Sequence, residues 1–281
     1  MSVKIIVDST ADLAPSIADM VTVVPLTIRF GDEEFIDGVT IDHRQFYEKL
    51  IESDVMPSTS QANIDDFSKV FENITQSGDT AVVITISSAL SGTFNSARLA
   101  AEDYEGKIFV VDSRSVAIGT GILAQLAINL AEEGYTAEKI AEYLTAERER
   151  VKVVAMLDTL EYLKRGGRIS KTAAAVGTLL SIKPVITLKD GEITILGKAR
   201  GSKQANNFLA DEIESSGGVD FSKPVLLGYT GLSDLLLKKY VEDSAHLWEG
   251  HVDSLQSTVV GSVVGTHAGP GAIAVAFFRN E

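Results

Sequence analysis

Residues 80–97, TAVVITISSALSGTFNSA, constrain the fold more than any other stretch of the chain. The apolar, largely β-branched run from Ala81 to Ile86 is too short for a core helix and reads as a buried strand. It breaks into Ser87, Ser88, Ala89, Leu90, Ser91, Gly92 and Thr93, after which Phe94, Ala97 and Leu99 to Ala101 continue at helical spacing. A strand, a hydroxyl-rich turn with one glycine and a helix start make a ready anion site, because the first N–H groups of a helix have no internal partner. Gly92 lets a bound group approach the backbone, and the hydroxyls of Ser91 and Thr93 add donors. The same residues also make an ordinary helix cap, so this segment taken alone leaves both roles open.

The rest of the first half alternates in the same way. Val3 to Val7 is a buried-strand run ending at Asp8, with Ser9 and Asp12 in a capping-like spacing. Asp8 either faces a ligand at the strand's C-terminal edge or fixes the turn. Val21 to Phe30 reads as a second strand, and Asp42 starts a helix through Ile51. Pro57 to Ala62 is a hydroxyl-rich turn that places Thr59 and Ser60 before a helix over Ile64–Gln76, with Asn63 an equally good cap. A strand over Lys107–Val111 precedes a nearly all-apolar helix, Gly119–Glu133, whose faces must be covered on most sides. Gly119, Gly121 and Ala124 match the spacing of a dinucleotide fingerprint. Ser113 to Ile118 separate them from the strand, so close helix packing explains them better. With an amphipathic helix over Thr136–Arg150, the pattern predicts a parallel sheet with helices on both faces.

The character changes near Val151. A strand over Val153–Met156 leads to Leu157, Leu160 and Leu163 at helical spacing, closed by Gly166-Gly167. Arg165 and Arg168 beside these glycines present guanidinium groups either to an anion or to solvent. A short helix over Ala173–Leu180 follows. Val185–Leu188 and Glu192–Leu196 flank Lys189-Asp190-Gly191 as a hairpin. Lys198, Arg200 and Lys203 form the densest basic cluster. Helices over Ser202–Ser215 and Leu232–Val241 flank a strand over Val225–Tyr229. A glycine-rich turn carrying His267 leads into a last strand, Ala272–Phe278. The expected fold is α/β in two domains: residues 1–152 with a mainly parallel sheet, and residues 153–281 with a mixed sheet.

Composition narrows the function. Lys plus Arg number 25 against 39 for Asp plus Glu, a net charge of -14, which argues against nucleic acid and anionic membrane as partners. No cysteine is present, so thiolate chemistry is excluded. His246 and His251 lack the i,i+4 spacing that puts two ligands on one helix face, and no metal site is expected. No apolar run reaches bilayer length, and the N-terminus has no signal-peptide pattern, so a cytoplasmic location is expected. A serine hydrolase would use Ser91 as nucleophile and His267 as base. The glycines of a nucleophile elbow are replaced by Ala89 and Thr93, however, and P-loop spacing is absent. The inventory fits anion binding better than catalysis.

Seven ordered motifs, VDST at 7–10, PSTSQ at 57–61, SSALSGTFNSA at 87–97, VDSR at 111–114, LEYLKRGGRIS at 160–170, KP at 183–184 and GTHAGPGA at 265–272, resemble the DegV family. Its members include the fatty-acid-binding subunits of bacterial fatty acid kinase. The resemblance spans essentially the whole chain; one departure is Ala62, where members commonly have Pro after TSQ. It implies a fatty acid held between two domains, with no other cofactor. The carboxylate would meet Thr59 and Ser91, with Ser60, Gly92 and Thr93 nearby and His267 in the same network. Arg168 and Arg200 would lie near the carboxyl end or on a kinase-docking surface. The protein itself would be no enzyme, but would present its lipid to a separate ATP-using kinase subunit that makes acyl-phosphate.

Overall fold

The computed structural model describes residues 2–169 and 182–280; the helix expected over Ala173–Leu180 and Ser170 of the LEYLKRGGRIS motif lie outside them. The first part of the chain runs β1 (Val3–Asp8), β2 (Val21–Val24), β3 (Thr27–Phe30), β4 (Glu33–Ile36), α1 (His43–Glu52), β5 (Ser58–Ser60) and α2 (Ile64–Gln76). It continues with β6 (Thr80–Thr85), α3 (Thr93–Ala101), β7 (Ile108–Asp112), α4 (Ile118–Glu132) and α5 (Ala137–Glu147). The second part comprises β8 (Val151–Met156), α6 (Glu161–Arg165), β9 (Ile182–Lys189), β10 (Glu192–Arg200) and α7 (Gly201–Ser215). It ends with β11 (Leu226–Tyr229), α8 (Leu235–Asp243), β12 (Gln256–Val259), α9 (Ser262–Ala268) and β13 (Ile273–Phe278).

The expected parallel sheet forms in the order β2-β1-β6-β7, every pair parallel. Its strands are apolar on both faces because both are covered. Ile5, Val7, Val82 and Ile84 pack with α4 and α5, while Ile6, Ala81 and Val83 pack with Phe67 and Phe71 of α2 and Ala97 of α3. The second sheet, β10-β9-β8-β13-β11-β12, is antiparallel except between β11 and β12. Val154, Met156, Leu227, Val275 and Phe277 of this sheet pack with Leu209 of α7 and Tyr240 of α8. From the other face, Val153, Leu226, Ala276 and Phe278 meet α4. Helix α4 is apolar all round because it lies between the two sheets. A Cβ on Gly119 would come within 2.4 Å of Val153 Cγ2, and one on Gly121 within 2.1 Å of the Asp12 carbonyl oxygen. These glycines serve packing.

Four expectations are corrected. Val21 to Phe30 is two strands, because Pro25 has no N–H to continue a ladder. β2 joins the parallel sheet, and β3 joins a small antiparallel sheet in the order β4-β3-β5. Ser58 to Ser60, expected as a turn, is the edge strand of that sheet, with Thr59 opposite Ile28. The block around His267 is helix α9 before it becomes a turn. Gly265 is there for contact, since a Cβ would lie 2.5 Å from the Tyr47 hydroxyl of α1. Only Gly269 and Gly271, at φ 71° and 79°, take the turn conformation. Finally, β10 runs on to Arg200, with an irregularity between Ile195 and Gly197, so the basic cluster begins on a strand.

Gly121→Ala is expected to lower unfolding stability by about 1–3 kcal/mol, since the added methyl meets backbone that cannot rotate away. An unchanged urea midpoint would show that α4 has more room than its neighbours indicate.

Candidate functional site

One cavity lies where the C-terminal ends of β1, β6 and β7 face the second sheet. Thr10, Ile86, Leu90, Ser91, Val116 and Ala117, all on loops leaving those strands, line one side. Open α/β sheets bind ligands at this edge. Leu157, Leu163, α9 and the inner face of the second sheet supply the other walls. The volume is about 120 Å³, well above the roughly 10–15 Å³ that holds a single water, so the cavity is more than a packing defect.

The room comes from small residues in register. Ile186 pairs with Ala155, Ala155 with Ala274, and Ala274 with Gly228. The row lines the cavity; its three small members lie on β8, β13 and β11, and Ile186 of β9 closes it at one end. These positions were not singled out in the sequence. The signal was there, in the alternation of Ala272, Ala274 and Ala276 against Ile273, Val275 and Phe277, which gives one face small side chains and the other large ones.

The polar end is assembled from four segments. Strand β5 presents Thr59, whose Oγ1 lies 2.9 Å from His267 Nε2. Gln61 follows; its Nε2 donates to Ser96 Oγ of α3 at 2.9 Å. A Cβ on Gly92 would fall 2.0 Å from Gln61 Oε1, so the glycine leaves room for the Gln61 side chain to lie against the entrance of α3. Ser91 Oγ sits 2.9 Å from Thr93 Oγ1 and accepts from the Thr93 amide at 3.3 Å. The N-cap of α3, Gly92, has no side chain, and Ser91 covers the helix's first amide in its place. Arg168 ties the end of α6 to the same turn, its Nε donating to the Leu90 carbonyl at 3.2 Å and Nη1 to that of Gly166 at 2.7 Å.

His267 stands in the last turn of α9. A Cβ on Gly166 would lie 2.1 Å from its Nδ1, and that nitrogen is buried without a partner. Burial, and secondarily the charge of Arg168, lower its pKa to about 4. The ring is therefore neutral around pH 7.

Thr59, Ser60, Ser91, Arg168 and His267 line the cavity. Gly92 and Thr93 stand directly behind this wall, Thr93 fully buried. Arg200 is exposed at the end of β10 and is absent from the wall. The nucleophile–base bond of a hydrolase is not made, since Ser91 engages Thr93 and His267 engages Thr59. Asp8 lies beneath the wall; it accepts from the amides of Thr10 and Ile86 at 2.9 and 2.8 Å, the turn-fixing role. Two more hydroxyls around the cavity are engaged with protein. Thr187 donates to the Val153 carbonyl at 2.9 Å, and Thr230 accepts from the Ala272 amide at 2.7 Å.

A family model described as "uncharacterised protein, DegV family" matches residues 2–280. A DegV domain-containing protein of Caldanaerobacter subterraneus subsp. tengcongensis is 34% identical over 279 residues, covering 98% of both chains. The solved structure of a fatty-acid-binding DegV family protein from Thermus thermophilus superimposes with a TM-score of 0.87 at 31% identity, covering 99% of this chain and 100% of that one. The B3 protein of the Streptococcus pneumoniae fatty acid kinase, loaded with linoleic acid, gives a TM-score of 0.87 at 26% identity, with 100% of each chain covered.

The state of His267 is directly measurable. Above its ordinary value of 6.5, folded and unfolded forms are both neutral at this position; as pH falls towards about 4, only the unfolded form takes up a proton. The stability due to the buried neutral ring is thus present above 6.5 and lost between 6.5 and about 4. The His267 ring signals are expected to hold still in NMR titration until close to the lower value. Arg168→Gln should move that midpoint up without restoring the ordinary value, because burial is the larger cause. A midpoint near the ordinary value in the unmodified protein would contradict this burial.

Proposed function

The chain belongs to the DegV family, and we propose that it binds a long-chain fatty acid, with residues 1–152 and 153–281 as the two domains enclosing it. The observation that carries this reading is a cluster of hydroxyls, Thr59, Ser60 and Ser91, beside neutral His267 at one part of a mostly apolar cavity. A carboxylate entering it would exchange water for charge-assisted hydrogen bonds worth about 1.5–3 kcal/mol each. Each methylene buried along the small-residue row adds about 0.8 kcal/mol, so the tail dominates affinity and the hydroxyls set its direction. Gly92 and Thr93 shape the turn that aims Ser91. Arg168, pinned to that turn, contributes positive charge near the headgroup. The fatty-acid-binding relatives in Thermus thermophilus and Streptococcus pneumoniae support the ligand class.

The likeness to a fatty acid kinase protein supports a finer reading. The chain presents its acid to a separate ATP-using kinase subunit, which phosphorylates the carboxylate. Arg200, exposed and away from the cavity wall, belongs to the docking surface in this scheme.

Mass spectrometry of an organic extract of purified protein is expected to find long acyl chains. Thr59→Ala and Ser91→Ala should each weaken fatty-acid affinity about tenfold to a hundredfold. Protein from lipid-replete cells that carries no acyl chain would overturn the reading. So would ester turnover abolished by Ser91→Ala, which would make the chain a hydrolase.

A further inference from the structure

The inner face of the second sheet gives the cavity a direction. Leu157 and Ala272 pack with Leu163 and with Ala268, the neighbour of His267, so they mark the headgroup end. Two residues along each strand, about 7 Å further, come Ala155 and Ala274, and then Val153 and Ala276 at the floor. The floor is shut: Val153 is 7% exposed, and its Cγ2 would lie 2.4 Å from a Cβ on Gly119 of α4. The side towards β11 is shut as well, since a Cβ on Gly228 would meet Ile118 Cγ2 at 3.0 Å and Val260 Cγ2 at 3.2 Å. A tail that has passed Ala155 and Ala274 is left with the direction of β9 and β10.

There the wall consists of large apolar side chains that are not packed out. Ile186, Leu188 and Ile193 line the cavity and are only partly buried. The pairing explains why. The ladder between β8 and β9 ends with Val154 opposite Thr187; beyond it β9 and β10 pair only with each other, which brings Leu188 opposite Ile193. Released from β8, the hairpin reaches the first part of the chain, where the Ser87 hydroxyl donates to the Gly191 carbonyl at 2.8 Å. Ser87 is 1% exposed, and a Cβ on Gly191 would lie 2.4 Å from its Oγ, so the tip is held close. Leu188 and Ile193 are the last pair to line the cavity before that fastened turn.

We propose that Leu188 and Ile193 form the end wall of the tail channel and set the longest acyl chain the protein accepts. The inference rests on the fatty-acid-binding reading above, whose headgroup site fixes the other end of the chain. Up to the wall, each added carbon exchanges water for apolar surface. A terminal methyl that reaches Leu188 and Ile193 has their side chains in front of it and the bond between Ser87 and Gly191 behind them. One carbon more must push the hairpin tip off Ser87 or draw the carboxylate away from Ser91, and either cancels the gain.

Displacement of a fluorescent fatty acid by a ladder of saturated acids, from lauric to arachidic, reads the chain length at which affinity peaks. Affinity is expected to rise about fourfold per added methylene up to that length, and to fall beyond it. Leu188→Ala and Ile193→Ala should each move the peak to a longer acid, which then binds roughly tenfold tighter than it does to the unmodified protein. Ile193→Phe fills the channel instead of emptying it and should move the peak to a shorter acid; it keeps the proposal testable if an alanine variant does not fold. Leu196, also on β10, packs with the cluster formed by α7 and α8 instead. Leu196→Ala should therefore lower the melting temperature and leave the peak in place. A peak unmoved in every wall variant that folds would overturn the proposal, as would a Leu196→Ala shift as large as that of Leu188→Ala. If no acid of any length binds the unmodified protein, the fatty-acid reading fails and the wall with it; acids that bind with an unmoved peak refute the wall alone.

Discussion

The hydrogen bond between Thr59 and His267 joins residues 208 positions apart in sequence, and the polar end of the cavity depends on it. Thr59 sits on a sheet edge, held by β3 on one side only. His267 sits on a seven-residue helix packed against α1 and α6. α9 also packs against β5 and its neighbour β3, and this bond is the polar link between them. It works because the imidazole is neutral. A neutral ring offers one donor and one acceptor, so whichever way the Thr59 hydroxyl turns, His267 can answer it. With Nε2 as donor, Thr59 accepts from it and its own hydrogen is left for a bound acid. A charged imidazole would instead be a buried cation beside Arg168, which the low pKa of the ring reflects.

The apolar part of the cavity comes from a different rule. Along β8, β11 and β13, successive residues point to opposite faces. The outer face carries Val154, Met156, Leu227, Val275 and Phe277 and fills the space against α7 and α8. The inner face carries Ala155, Gly228 and Ala274 and leaves it unfilled. Large residues on both faces would give an ordinary three-layer core. A close-packed interior tolerates few voids, so a run of small residues in register across adjacent strands is a vacancy the fold maintains, with α7 and α8 on the outer face supplying the packing stability that the inner face gives up.

The first half of the fold was legible because each of its signals is local. Runs such as Ala81 to Ile86 carry their strand identity without any neighbour. The Asn63 and Asp42 side chains cap their helices by accepting from backbone amides three residues on, at 3.0 and 2.8 Å. The site motifs were legible through the family resemblance, and Thr59, Ser91, Arg168 and His267 do come together in space. What was not legible depends on distant partners. Ser58 to Ser60 becomes a strand only because β3 lies beside it. Gly265 looks like a turn glycine until Tyr47 is placed against it. Arg200 entered through the resemblance, near the headgroup or on a docking surface, and β10 carries it away from the cavity wall. The alternation in β13 hints at a small-residue face, but the row across strands appears only when register pairs Ala155, Ala274 and Gly228.

The buried aspartates show how the same residue type divides by its surroundings. Asp8 and Asp12 leave the same strand, and both are almost wholly buried. Asp8 has backbone amides on each of its oxygens, so it closes the turn, and those donors oppose the rise in pKa that burial imposes on it. Asp12 has one amide, that of Gly261 just before α9, and one bare oxygen. A buried acceptor without a donor is expensive, and a stable protein retains one only where something other than a fixed amide satisfies it. The turn below the cavity is therefore complete in itself, while the anchor of α9 is not.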